Sequence, residues 1–394
     1  MAATQQTAGS SARVGYPDFL RTGPGTLAGR YLRMFWQPVA PARNIEAGRA
    51  RPIRVMSDDL TLYRGEDGAP HVVAFRCAHR GTQLSTGWVE GDHLRCFYHG
   101  WKYDASGQCI EQPAEPEPFC NRIKIRAYPT REYLGLIFTY LGEGDAPEFP
   151  LLLDFEETDY PCDVSYVEWP CNYFTQLDNA VDPSHTAIAH WHFNRPIPDQ
   201  ILVEENECGL ELIAVADQMN KAPSYVDMPN AHEWGGPPRG GKTMWNYARG
   251  WRVPIDDYHH MRLGIEAVVA SKEEAEQRWS ERGDETQTPN EVAESVLKGF
   301  MSPGELDLEM YPGPSMTNIQ DYIVLVGLGP IADQPPVEHL GKEDVGVMFM
   351  RKLWSRELQA LADGRPLKQW RRPARLWKDV EAAARAAASQ DTGS

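Results

Sequence analysis

The chain of 394 residues has little of what would tie it to a membrane, a disulfide scaffold or nucleic acid. No apolar run approaches the roughly 18 residues that a membrane span requires. The opening MAATQQTAGSSAR lacks the apolar core of a signal peptide and reads as a disordered tail. Seven cysteines are too few and too irregularly placed for a disulfide framework. Cys109, Cys120, Cys162, Cys171 and Cys208 therefore read as reduced thiols, and the expected compartment is the cytoplasm. Basic residues number 39 against 56 acidic ones, and the net charge of −17 argues against nucleic acid and anionic membranes. That acidity suits a soluble enzyme steering a charged redox partner, and equally suits plain solubility. There is no internal repeat, no phosphate-binding loop and no dinucleotide fingerprint, so no flavin or nicotinamide domain is expected.

What is there begins with CAHRGTQLSTGWVEGDHLRCFYHGWKYD. Cys77 and His79 are one residue apart, Cys96 and His99 are two apart, and 16 residues separate the pairs. Two short loops can each present a thiolate and an imidazole to one centre. Two sulfurs on one iron and two nitrogens on the other are what a Rieske [2Fe–2S] cluster takes. A structural zinc site could use the same donors, but such sites usually pair cysteine with cysteine and histidine with histidine. Trp101 and Tyr103 are expected to shield the cluster, and Gly81, Gly87 and Gly100 to supply backbone donors where side chains do not fit.

A second constellation lies in NYFTQLDNAVDPSHTAIAH, where Asp182, His185 and His190 form D-x₂-H-x₄-H and Asn179 precedes them. On an ideal helix His185 and His190 differ by about 140°, so a straight helix cannot aim both imidazoles at one point. A break is required, and Pro183 is placed to promote one. Two histidines and a carboxylate make the facial triad that leaves coordination sites open on Fe(II).

Together these motifs resemble the Rieske non-haem iron oxygenases, over roughly residues 29 to 375. The resemblance implies His185 and His190 as iron ligands. It makes Asp182 a bridging carboxylate toward His99 of a neighbouring subunit, with Asn179 nearby. The run NIQDYIVLVGLGPIADQPPVEHLGKEDVGVMFMRKLW resembles the phthalate 4,5-dioxygenase and aryl-ether O-demethylase subgroup, which implies Asp344 as the third ligand. Glu343 is its main competitor, and Asp321 and Asp333 are weaker ones. For Asp344 the bland alternative is a helix N-terminal acid favoured by the dipole. The resemblance also implies O₂-dependent oxidation of an aromatic acid, O-demethylation first and ring cis-dihydroxylation second. Electrons from NAD(P)H would come through a separate reductase or ferredoxin, and the assembly would be a head-to-tail homotrimer. A Rieske electron-transfer protein without oxygenase activity is the reading of a different class, and D-x₂-H-x₄-H argues against it. Arg239, Lys242, Arg249 and Arg252 could meet a substrate carboxylate, as basic residues do in phthalate-type relatives. His232, His259, His260 and His339 show no ligand spacing.

The expected fold is α+β: a small antiparallel β domain carrying the cluster, then a twisted antiparallel sheet flanked by helices, helix-grip-like. The expected divisions are an arm over 1–28, the cluster domain over 29–150, the catalytic domain over 151–385 and a tail over 386–394. GRYLRMFWQPVAP reads as a short helix, and PIRVMSDDLTLYRGEDGAPHVVAFRC as strands with a turn at Gly65–Gly68. ILVEENECGLELIAVADQ, MRLGIEAVVA and DYIVLVGLG read as further strands. MPNAHEWGGPPRGGKTMWNYARG reads as a pocket-lining loop, and MRKLWSRELQALADG and KDVEAAARAAASQ as helices.

Overall fold

The computed structural model describes residues 13–158, 161–216, 219–220, 223–236, 246–267, 273, 290–311, 314–331 and 338–391. Arg239, Lys242 and Asp333 lie outside them, as does most of the polar stretch 271–289.

Three small antiparallel sheets build the first half. One joins Arg49–Val55, Asp58–Arg64, Pro70–Ala74 and Ala127–Tyr128, and another joins Trp88–Glu90, His93–Arg95, Lys102–Tyr103 and Cys109–Glu111. The third joins Trp36–Pro41, Leu136–Tyr140 and Thr130–Tyr133. Gly68, at φ +91°, closes the expected turn with its amide on the Gly65 carbonyl. The tighter turn at Met56 and Ser57, where both residues have positive φ, is held by Arg33, which donates to the Met56 carbonyl and pairs with Asp58. GRYLRMFWQPVAP divides into the helix Leu27–Leu32 and the strand Trp36–Pro41, because Pro38 and Pro41 suit an edge position and cannot continue a helix.

The second half is an eight-stranded antiparallel sheet. Its main path runs Cys162–Trp169, His260–Ala267, Asn246–Pro254, Ala231–Gly236, Ser224–Asp227, Gly209–Ala216, Gln200–Glu205. The stretch expected as a pocket loop is largely two paired strands of this sheet, Ala231 opposite Trp251 through Gly236 opposite Asn246. Most of DYIVLVGLG, expected as a strand, forms the second half of the helix Pro314–Gly327. Its buried side chains Met316, Ile319, Tyr322 and Leu325 recur every third residue, a helical repeat. The last two helices, Val345–Ala362 and Leu376–Asp391, fall where the sequence places them, although the second extends into the expected tail.

The apolar cores do not divide at residue 150. One core takes in Val39, Leu62 and Leu136 from the first half with Trp251, Leu263 and Trp354 from the second. A separate small core holds Cys77, Leu84, Leu94, Cys96, Trp101, Tyr103 and Cys109. The arm over 1–28 is firmly packed in its second half: Phe19 is buried and stacks on Phe174 at 5.0 Å. A third core under Ile319 and Tyr322 supports the helix Pro314–Gly327. A buried ionic cluster joins Arg249 to Asp227 and Glu233, and Arg372 to Glu233 (2.9 Å) and Asp154 (2.9 Å), locking the chain before the last helix onto the sheet. Among the described residues no helix is long and apolar enough to cross a membrane.

Candidate metal centres

The first centre is built by two loops of the same construction. In one, the Gly81 amide donates to the Cys77 carbonyl (2.9 Å) and the Cys77 amide to Thr82 (2.8 Å). In the other, the Gly100 amide donates to Cys96 (3.0 Å) and the Cys96 amide to Trp101 (2.8 Å). Gly81 and Gly100 have φ of +75° and +72°, and a Cβ on Gly100 would press on Pro113 at 3.1 Å. The amides of Gly81, Gly87 and Gly100 are spent on closing local turns rather than offered to the cluster. The loops bury both thiols, Cys77 at 3% and Cys96 at 2% exposure, and bring the His79 and His99 rings to 4.5 Å. Trp101 stacks on His79 at 4.5 Å and 7°.

The donor set fits a Rieske cluster. His79 Nδ1 is buried with no protein partner, which costs energy unless something else binds it. The Tyr103 hydroxyl accepts from the Ala78 amide (3.1 Å) and lies 3.2 Å from Cys77 Sγ; with Cys77 as a thiolate ligand the hydroxyl is the one possible donor of that pair. A hydrogen bond that stabilises the reduced, more negative cluster raises its potential. Tyr103→Phe is expected to lower the midpoint on the order of 20–60 mV, one net hydrogen bond expressed for a one-electron couple. Redox titration followed by electron paramagnetic resonance checks it.

The second centre begins on the helix Tyr173–Ala180, capped by Asn172, whose Oδ1 accepts from the Phe174 amide (2.9 Å). Asp178 ties this helix to Arg351 (3.2 Å) and to the Tyr16 hydroxyl (3.2 Å). The chain then breaks where Pro183 predicts. The Asp182 amide donates to the Asn179 carbonyl (3.2 Å), and Asp182 Oδ1 accepts from Ser184 (2.9 Å), starting the short helix His185–Ile188. His190 leaves helical geometry at φ −95°, ψ 46°, which turns its ring back toward His185, 5.2 Å away.

Asp321, on the helix Pro314–Gly327, completes the group. One ligand atom from each of His185, His190 and Asp321 lies within 4.8 Å of the others. Asp321 Oδ1 is 3.2 Å from His190 Nε2 and 3.9 Å from His185 Nε2. Each Nδ1 faces an oxygen, of the Asp182 carbonyl for His185 and of Gln320 Oε1 (2.9 Å) for His190. Both Nδ1 atoms therefore carry the proton and both Nε2 atoms present lone pairs. A lone pair of His190 then faces a carboxylate oxygen that is buried and has no hydrogen bond, an arrangement that a proton or a metal ion reconciles. Burial drives the His185 pKa down despite Asp321 and Asp182, favouring the neutral form a ligand needs. Burial also opposes charge on His190, but Asp321 and Gln320 outweigh it and the pKa rises.

Asp344 is elsewhere. It ends the 3-10 turn Lys342–Asp344, and its Oδ2 accepts from the Gly341 amide at 2.6 Å. It is the acid at the start of the helix Val345–Ala362, the bland alternative. Glu343 lies beside it in the same exposed turn. Gln320 was not anticipated, and its place directly before Asp321 is the one signal that could have found it. His260 is fully buried, between the Cys171 carbonyl (2.9 Å) and Gln176 (2.9 Å), and takes no part in the group.

Comparison with known proteins accords with this geometry. The Rieske [2Fe-2S] domain family matches residues 35–129. The chain is 28% identical over 362 residues to the 5,5'-dehydrodivanillate O-demethylase oxygenase subunit of Sphingobium sp. (strain NBRC 103272 / SYK-6), covering 87% of this chain and 80% of that one. It is 27% identical over 376 residues to the phthalate 4,5-dioxygenase oxygenase subunit of Pseudomonas putida, covering 85% and 83%. The solved carbazole-bound oxygenase in a ferredoxin complex of carbazole 1,9a-dioxygenase matches with a TM-score of 0.62 at 19% identity, over 90% of this chain and 98% of that one. The chain is a Rieske non-haem iron oxygenase. Within that class it is the terminal oxygenase of a multicomponent system, and its cofactors are a Rieske cluster and a mononuclear iron.

Proposed function

We propose that this oxygenase O-demethylates a lignin-derived methoxylated aromatic acid, with electrons from NAD(P)H delivered by a separate reductase or ferredoxin. The observation that carries the acid is Arg252. Its side chain is 5% exposed, yet among the described residues its guanidinium makes one hydrogen bond, from Nη1 to the Gly250 carbonyl (2.9 Å), and Nε has none. A buried, unpaired guanidinium is costly, and an incoming carboxylate removes the cost. Burial, and after it the positive charge of Arg262, pushes the Arg252 pKa down to about 9, and the charge of Asp321 opposes this. Arg249, whose Nε is likewise without a partner, differs in that its charge is paired through Nη1 with Asp227 and Glu233.

In this reading Cys77 and Cys96 hold one iron of the cluster, His79 and His99 the other, and His185, His190 and Asp321 the mononuclear iron. When bound, the cluster supplies electrons one at a time and the mononuclear iron supplies the site of O₂ reduction. Gln320 and the Asp182 carbonyl hold the imidazoles in the tautomer that binds metal. Arg252 would anchor the substrate by its carboxylate. The balance is methoxyarene, O₂, two electrons and two protons to phenol, formaldehyde and water.

The subunits form a head-to-tail homotrimer in which Asp182 reaches His99 of the partner subunit. Two different apolar surfaces support this, as a heterologous ring requires: Trp88, Phe97 (61% exposed) and Tyr98 beside the cluster, and Ile188 (64%), Trp191 and Ile197 beside the iron ligands. The carbazole oxygenase solved with ferredoxin supports a separate donor, and the reduced thiols support a cytoplasmic setting.

The test is reductant-driven turnover with a surrogate reductase over methoxylated aromatic acids, their decarboxylated analogues and phthalates. Formaldehyde in step with phenol establishes demethylation, and a cis-diol without formaldehyde establishes ring dihydroxylation instead. Arg252→Met is expected to raise KM for the acids roughly 10- to 100-fold, the worth of a charged hydrogen bond, and to leave the decarboxylated analogues unchanged. An equal effect on both would remove Arg252 from carboxylate recognition.

A further inference from the structure

Cys109 and Cys120 belong to neither metal site, yet they share the small core that holds the cluster thiols. Cys109 lies on the strand Cys109–Glu111, and Cys120 starts the 3-10 turn Cys120–Arg122 that packs against it. The backbone fixes the pair. Gln108 pairs with Lys124, the Cys109 amide donates to the Ile123 carbonyl (3.0 Å), and Gln108 Nε2 donates to the carbonyls of Cys120 (2.7 Å) and Ile123 (2.9 Å). The Cys109 thiol is 2% exposed, whereas Cys120 is half-buried. Burial, and after it the Cys120 thiol alongside, pushes the Cys109 pKa up to about 12.

The segment between the two cysteines covers the cluster loops. Phe119 meets Trp101 edge-on at 5.6 Å, and Trp101 stacks on His79. Pro113 rests on Gly100, Glu111 pairs with Arg95 (2.8 Å), and Gln112 accepts from the Phe119 amide (2.7 Å). Anything that joins Cys109 to Cys120 pins both ends of this cover.

We propose that Cys109 and Cys120 are a peroxide-responsive dithiol whose disulfide staples the cover over the cluster. Hydrogen peroxide is the oxidant, and an oxygenase forms it whenever reduction of O₂ by two electrons is not coupled to substrate. The more accessible Cys120 attacks first as the thiolate: an S–O bond forms, the O–O bond breaks, and the departing hydroxide takes a proton to become water. Cys109 sulfur then attacks the Cys120 sulfenic acid. The S–S bond forms, the S–O bond breaks, and the departing hydroxide takes the Cys109 proton to become a second water. Two thiols and one peroxide thus give one disulfide and two waters, and a thiol reductant reverses it. The closed loop is less free to open locally, which slows peroxide access to the cluster.

The test exposes holoenzyme to one equivalent of hydrogen peroxide, blocks free thiols by alkylation and maps the peptides by mass spectrometry. A Cys109–Cys120 linked peptide that dithiothreitol removes is expected. Independent alkylation of both cysteines, or Cys120 sulfinic acid without a cross-link, overturns the proposal. Cluster absorbance under excess peroxide reads the staple. Cys120→Ser is expected to bleach at least about twofold faster than wild type while its initial turnover rate is unchanged, and Cys109→Ala reaches the same end from the other sulfur. Equal bleaching in wild type and both variants overturns the protective role even if the cross-link forms.

Discussion

Asp321→Ala is expected to leave the [2Fe–2S] absorbance intact while the affinity for mononuclear iron falls by at least about 100-fold and turnover is nearly lost. The magnitude follows because removing a group that only supports a metal ligand already costs 10- to 100-fold, and a ligand costs more. The selectivity follows from position. Asp321 faces His185 and His190 from the helix Pro314–Gly327, whereas the cluster loops have a core of their own. Folding is expected to survive, because what is lost is the contact of Asp321 Oδ1 with His190 Nε2 (3.2 Å), and a buried carboxylate goes with it. Asp344→Ala is the matched control. It loses the contact from the Gly341 amide, about 1 kcal/mol of helix capping, and keeps its iron. Iron analysis of both variants after anaerobic reconstitution decides between the two aspartates. Loss of iron from the Asp344 variant alone would restore the ligand that the sequence resemblance implies.

The second large effect is at Asp182. Asp182→Ala is expected to retain both the cluster spectrum and the mononuclear iron yet to lose about 100-fold or more in the rate at which reduced cluster is reoxidised during turnover, if Asp182 bridges the centres as proposed, since a misplacement of about 1 Å between reacting groups can cost that much. The side chain binds the Ser184 amide through Oδ1 and leaves Oδ2 at 3.7 Å from His185 Nδ1. The carbonyl that orients His185 belongs to the backbone and survives the substitution. Stopped-flow monitoring of cluster absorbance separates this from a folding defect. Iron loss in this variant would instead make Asp182 a support for His185.

Local spacing made most of this site legible. Cys77, His79, Cys96 and His99 sit on two turns whose geometry is set within a few residues, and His185 and His190 are joined by a break that Pro183 announces. The third ligand is remote, and nothing local connects it to the histidines. The run DYIVLVG is apolar at nearly every position, so it carries no period, and it read as a strand. Once the helix extends back to Met316, its buried face emerges and Asp321 is seen to leave it toward His190. Asp344 is implied only by the subgroup resemblance, through its place after His339, Leu340 and Gly341, and in the structure it sits as the acid at a helix start. Among the basic candidates, Arg249 and Arg252 are three residues apart on one strand, and the sequence cannot tell that Asp227 and Glu233 neutralise one and not the other. The shared core of residues 14–72 with the large sheet was equally invisible, because it depends on where the strand Trp36–Pro41 docks.

The claim that the two centres act as one unit is tested most directly by single turnover. Holoenzyme reduced chemically at both centres, freed of reductant and mixed with a methoxylated aromatic acid and O₂, is followed at once for product and for cluster absorbance. Phenol and formaldehyde forming in step with reoxidation of the cluster is the predicted result. Product without cluster reoxidation, or reoxidation without product in iron-replete enzyme, would contradict it.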